Sequence, residues 1–241
     1  MVEEIRSLQE KGLRSIHFDD DTFGVSKAYI KNLLHRMILH CPGLKWSCEF
    51  HVTLVDDETI DLMKAAGCYL IQVGIESGSN TILNAMRKGI TIEEALKACA
   101  RIKKRKIEVQ TFFIVGFPQE TEETLRETLE AIRKIKSDSL VYNIFTPYPG
   151  TEAFRFCQEK GLVDKEFDVS LYNHQSPLNC FCMNLDRPTF RARVARIEKY
   201  VDRKNAVHRV KRLFSMNSLW RIRQTGTRRS LKEASRIVLG K

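Results

Sequence analysis

Five short groups of residues in this chain carry the side chains that could do chemistry. They are Asp20-Asp21, the trio Ser47, Glu49 and His51, the pair Glu76-Ser77, the bend Gly116-Phe117-Pro118, and Phe145-Thr146 with Tyr148 close behind. The carboxylates could hold a divalent ion through Asp20, Asp21, Glu49 and Glu76, or take part in acid–base steps. A glycine bend lets backbone groups approach a ligand closely. Taken singly, each group reads as a solvated or structural feature. What joins them is their position at the ends of apolar runs.

The run 69–75 shows the logic. In a strand, alternate side chains face opposite ways. Tyr69, Ile71, Val73 and Ile75 then share an apolar face suited to lie under helices. Gln72, Gly74 and Glu76 share the other, which is polar and nearly empty at Gly74. That is the pattern of a strand lining a barrel, with Glu76 at its C-terminal mouth.

The rest of the chain repeats this unit. Strands are expected at 13–18, 45–52, 69–75, 107–115 and 140–145. Helices are expected at 1–12, 26–40, 56–67, 80–87, 91–106, 121–136 and up to about 160. Ser26 and Asp56 stand at N-cap positions, and Thr91-Ile-Glu-Glu94 is a capping box. Alternation of strand and helix means a parallel sheet. All five chemical groups then fall on one rim, the C-terminal ends of the strands, where barrel sites are assembled. The chain opens on a helix that leads into a strand, which is what remains if a first strand and its loop are missing.

Residues 1–160 are expected to form the barrel core and 161–186 an irregular connection with one alternating stretch near 178–183. Residues 187–241 are expected to form a basic helical extension, with helices near 188–215 and 228–238. The net charge is +10, but residues 187–241 hold 17 Lys and Arg against 3 Asp and Glu. The body is mildly acidic and the extension strongly basic, which allows contact with an anionic membrane surface through residues 200–241. No RNA-binding motif follows the barrel, which argues against a nucleic-acid partner. The N-terminal residues lack the apolar core of a signal peptide, and no run suits a membrane span. The expected location is the cytoplasm, with membrane association at most peripheral. The seven cysteines are scattered, as reduced thiols are.

The blocks themselves resemble a known family. Ile16-x-Phe18-x-Asp20-Asp21-x-Phe23, Trp46-x-Cys48, Ala66-Gly67-Cys68, Gly74-Ile-Glu-Ser-Gly78, Lys88-Gly89, Gly116-Phe-Pro118-x-Glu120-Thr121 and Thr146-Pro-Tyr-Pro-Gly-Thr151 occur in the order found in radical S-adenosylmethionine enzymes. The branch with an N-terminal cobalamin-binding domain is the most similar. The resemblance covers about residues 1–155. It implies an α/β fold, a partial (β/α)6 TIM-like barrel missing its first strand. It also implies a four-iron, four-sulfur cluster and reductive cleavage of S-adenosylmethionine, with cobalamin supplied by an N-terminal domain absent here. It places Asp20 and Asp21 at the methionine amino group, Glu76 and Ser77 at the ribose, and Gly116, Phe145 and Thr146 at the adenine. His51 stands where many relatives have Arg.

One departure is large. The family holds its cluster with Cys-x3-Cys-x2-Cys, and no such triplet occurs in this sequence. No metal site is therefore expected in this chain, which is read as a truncated enzyme, inactive alone. The implied activity is that of a cobalamin-dependent methyltransferase or cyclase acting on a small-molecule or lipid substrate. A non-catalytic homologue acting as a binding or scaffold protein, an ordinary α/β-barrel enzyme using its rim acids, and a tRNA methylthiotransferase are the alternatives.

Overall fold

A computed structural model describes residues 1–24, 26–164, 166–173, 176 and 179–213. Helix α1 (Val2–Glu10) precedes the first strand. Then follow β1 (Ser15–Phe18), α2 (Lys27–His40), β2 (Lys45–Glu49), a 3₁₀ turn (Val52–Leu54), α3 (Asp57–Ala65) and β3 (Cys68–Glu76). After these come α4 (Asn80–Ala85), α5 (Ile92–Lys104), β4 (Glu108–Val115), α6 (Glu122–Lys134), β5 (Ser139–Ile144), α7 (Glu152–Glu159) and α8 (Arg187–Leu213).

The strands form one parallel sheet in chain order, β1-β2-β3-β4-β5. The helix starts are set locally. Ser26, Asp56, Thr91, Thr121 and Thr151 each accept a hydrogen bond from a backbone N–H of the first turn. Thr91 and Glu94 complete the capping box expected from the sequence. The first strand is confined to Ser15–Phe18, shorter than the run 13–18 suggests, and β2 stops at Glu49 rather than at residue 52.

Every second residue of the central strands is fully buried under the helices. Ile71, Val73, Ile75, Val109, Phe113 and Val115 have no exposed surface. Tyr69 departs from the expected set and is 39% exposed. The β2–β3 register skips Tyr69, pairing Trp46 with Cys68 and Ser47 with Leu70, so Tyr69 sits in a bulge. The opposite face of the sheet is half-exposed and carries Gln72, Gly74, Glu76, Gln110, Phe112, Ile114, Val141 and Asn143. On it the Gln72 amide donates to Gln110 Oε1 at 2.7 Å.

The β5 edge is closed by α8. Phe190, Val194, Ile197 and Val201 form its buried stripe. Asn205 then presents its side-chain amide to the strand as another strand would. The Leu140 N–H donates to Asn205 Oδ1 at 2.9 Å, and Asn205 Nδ2 donates to the Leu140 carbonyl at 2.7 Å. The candidate membrane segment, residues 200–241, starts where this stripe ends, and Val207 and Val210 within it are exposed. The expected helix at 228–238 and the tail beyond Leu213 lie outside the described residues. No described helix is long and apolar enough to cross a membrane.

Candidate functional site

The rim at the C-terminal ends of the strands gathers the expected residues. Asp20 and Asp21 follow β1 and are exposed. Glu49 ends β2, also exposed. His51 lies past the strand, as N-cap of the 3₁₀ turn, with Nδ1 2.8 Å from Thr53 Oγ1. Burial, and then the nearby Lys88 ammonium, lower its pKa below the usual histidine value. Both effects disfavour the charged ring.

Glu76 is the most distinctive residue of the rim. The β3–β4 register shifts between Gly74 and Glu76, and Glu76 adopts φ +73°, a left-handed conformation that side chains other than glycine seldom take. The shift turns the carboxylate back over Gly74. A Cβ at Gly74 would lie 2.6 Å from Glu76 Oε1 and 3.3 Å from Lys88 Nζ. The space that the sequence leaves empty at Gly74 is therefore filled by an ion pair. Lys88 Nζ donates to Glu76 Oε1 at 2.8 Å, with the two side chains 23% and 19% exposed. Glu76 Oε2 has no protein partner among the described residues. Ser77, expected beside it at the ligand, is fully buried and turned into the helix layer. Its hydroxyl is 3.2 Å from Thr128 Oγ1 on α6 and accepts from the Ser79 N–H.

Beyond β4, Gly116 has φ +88°, and a Cβ there would meet the Phe190 ring at 2.7 Å. Only glycine satisfies both the left-handed turn and this close packing. Its N–H donates to Glu120 Oε2 at 3.4 Å. The segment after α7 covers this corner. The Met183 N–H donates to the Pro118 carbonyl at 2.8 Å. Asn179 Nδ2 donates to the Phe145 carbonyl at 3.3 Å, to Thr146 Oγ1 at 2.8 Å and to the Asn173 carbonyl at 2.9 Å. Phe145 packs edge-on against Phe117 and Phe181, with ring centres 5.0 and 6.2 Å away. Phe167 and Tyr172 extend the aromatic cluster. No strand pairing forms over the described part of 178–183, so the alternating stretch there is not a strand.

Three contributors had no assigned role in the sequence reading: Lys88, Glu120 and Asn179. Lys88 and Glu120 stand inside the motif blocks, and that was their only signal. Asn179 lies in the irregular connection, where nothing local marks it.

The rim offers carboxylates for a cationic ligand, a lysine paired with one of them, and an aromatic cluster around Phe145. It does not offer a metal centre. Among the described residues no group of three or more His, Cys, Asp or Glu could hold a metal ion. Asp20, Asp21, Glu49 and Glu76 thus do not converge on a divalent site. Six of the seven cysteines are buried. Burial, with the Cys180 thiol beside it, pushes Cys182 up, and burial with the neighbouring Cys68 does the same to Cys48. Such thiols resist forming the thiolates that iron requires. The residues present do not fit an iron–sulfur cluster.

Comparison with known proteins gives this rim a context. A family profile described as the radical SAM superfamily matches residues 1–132, more than half of the chain. An uncharacterized methyltransferase of Pyrococcus horikoshii is 32% identical over 164 residues, 68% of this chain and 36% of that protein. The bacteriochlorophyllide d C-12(1)-methyltransferase of Chlorobaculum tepidum is 28% identical over 178 residues, 72% of this chain and 38% of its own length. A solved structure is similar too, the radical S-adenosylmethionine methyltransferase TsrM from Kitasatospora setae with cobalamin and a [4Fe-4S] cluster bound. It is 25% identical with a TM-score of 0.61, over 66% of this chain and 33% of that one. The parallel sheet is accordingly part of a TIM-like barrel. The chain spans about a third of the length of each of these proteins.

Proposed function

The chain belongs to the radical SAM superfamily, and from that premise we propose that its rim is the S-adenosylmethionine side of a cobalamin-dependent methyltransferase or cyclase. S-adenosylmethionine supplies the family's radical chemistry. The residues of this chain contribute the binding of its organic parts. Asp20 and Asp21 provide negative charge for the ammonium and sulfonium. Glu76 Oε2 is the free acceptor for a ribose hydroxyl. Lys88 supplies the cation for the methionine carboxylate, since burial and Lys88 disfavour the charged form of His51. The adenine is placed against the Gly116 bend and the exposed parts of Phe117 and Phe145. Ser77 and Thr146 hold the walls through Thr128 and Asn179.

The observation that carries this reading is Glu76. A non-glycine residue held left-handed at a strand end, with its carboxylate folded onto the ligand face, is strain retained where a ligand needs a group. Equilibrium dialysis with labelled S-adenosylmethionine tests it. Wild type is expected to bind saturably, and Lys88→Met to bind about tenfold more weakly, the equivalent of about 1.4 kcal/mol. No saturable binding to wild type, or equal binding to both, would overturn the reading.

A further inference from the structure

Helix α8 turns one stripe to the barrel and the opposite one to solvent. Phe190, Val194, Ile197 and Val201 are buried, and Asn205 is bonded to Leu140. Two positions on from each of these lies about 200° round the helix, which gives the line Ala192, Arg196, Lys199, Arg203 and Val207. All five are exposed, and so is Val210, one turn past Val207. The cations of α8 that face the protein are used by it. Arg193 pairs with Glu122, and Lys204 donates to the Ile135 carbonyl and to Ser137 Oγ. The charged groups of Arg196, Lys199 and Arg203 have no partner among the described residues. The two acids of α8, Glu198 and Asp202, lie to one side of the line, beside Tyr142 of β5. Phe190, near the start of the helix, packs on Gly116 at the rim, whereas Asn205 meets Leu140 at the N-terminal end of β5. The helix therefore runs from the mouth to the far end of the sheet, and the two valines lie at the end away from the mouth.

We propose that this outward face of α8 docks on a membrane surface rich in acidic phospholipids, a peripheral contact made by Arg196, Lys199 and Arg203 and anchored by Val207 and Val210. Arg and Lys reach lipid phosphates while their aliphatic stems lie along the interface. The three cations span about 10 Å of helix, and each adds about fivefold to partitioning at an acidic surface. The valines follow them in line and enter the headgroup boundary without burying a polar side chain. Nucleic acid is the poorer match for this face. From Arg196 to Val210 the line offers no aromatic ring to stack on a base and no side-chain amide to read one. The composition continues past the helix: residues 214–241 hold seven Lys and Arg and one acid, with Trp220 among them, and Trp favours membrane interfaces. Docking through the outward face of α8 leaves the rim open to solvent. The S-adenosylmethionine reading of the rim plays no part in it.

Sedimentation of the full chain with sucrose-loaded vesicles tests the docking. Wild type should pellet with phosphatidylcholine vesicles that contain about one third phosphatidylglycerol, and stay in solution with phosphatidylcholine alone. Raising salt from about 0.1 M to about 0.5 M should release it, because exposed charges are screened. Arg196→Glu, Lys199→Glu and Arg203→Glu together should weaken binding at least about tenfold, although residues 214–241 are untouched. Lys11→Glu, Lys45→Glu and Lys104→Glu together reverse three exposed lysines of other elements. They lower the net charge equally and should leave binding within about twofold of wild type. Val207→Ser with Val210→Ser should weaken binding about fivefold and leave its salt dependence unchanged. Wild type that ignores acidic vesicles, or an α8 charge-reversal variant that binds as wild type does, overturns the proposal. An equal loss in the lysine variant reduces the effect to net charge and overturns it too. Binding of an RNA duplex that only the α8 variant abolishes, with no vesicle binding, makes the face a nucleic-acid surface instead.

Discussion

Replacing Glu76 separates two opposing energies at one residue. Its left-handed backbone costs about 1–2 kcal/mol relative to the right-handed region. Its ion pair with Lys88 offsets this. The pair is 2.8 Å long, with both side chains about four-fifths buried, so its net worth exceeds that of an exposed pair and reaches about 1–2 kcal/mol. Glu76→Ala removes the pair and keeps the strain, and should lose about 1–2 kcal/mol. Glu76→Gly removes the pair and relieves the strain, and should fall within about 1 kcal/mol of wild type. Urea unfolding monitored by tryptophan fluorescence reads this order. With a urea slope of about 2 kcal/mol per molar, the two midpoints should differ by roughly 0.5 M. Binding should rank them differently, because both variants lack the carboxylate and both should lose affinity for S-adenosylmethionine alike. An alanine variant as stable as the glycine variant would refute the strain argument. Undiminished binding by both would remove Glu76 from the site.

Two further outcomes follow from the fold and from the cysteines. Asn205→Leu leaves the Leu140 N–H and carbonyl without partners at a half-buried edge. It should lower stability by about 1–3 kcal/mol and speed hydrogen exchange at the Leu140 amide, and unchanged protection there would show that the edge is not closed by this side chain. Anaerobic iron–sulfur reconstitution of this chain should incorporate far less iron than a four-iron cluster needs; stoichiometric loading with 5′-deoxyadenosine release would contradict the ligand argument.

The sequence was most readable where cause and effect lie close together. Ser26, Asp56 and Thr91 cap helices three residues away, and strand–helix alternation sets the parallel order. It was least readable where distant segments meet. The period-two count puts Glu76 on the Gly74 face, but a register shift against β4 is what folds the carboxylate back. The count also buries Tyr69, because it cannot see the bulge by which the β2–β3 register skips that residue. Glu120 precedes the N-cap Thr121, and nothing local in the sequence marks it as buried. Its neighbour Cys182 lies some sixty residues on in the chain. Ser77 has the expected place in the chain, yet Thr128 on α6 draws its hydroxyl away from the mouth.

The sheet order bears on how the chain assembles. Each strand pairs with the one made just before it, so β-α units can add to the growing edge as they leave the ribosome, without waiting for distant partners. During that time the newest strand is an unpaired template, open to pairing with another nascent chain. On the β5 edge, Leu140 gains its partner when α8 arrives and Asn205 occupies its backbone. A ribosome stalled before residue 205 would release a chain with that part of the edge uncovered.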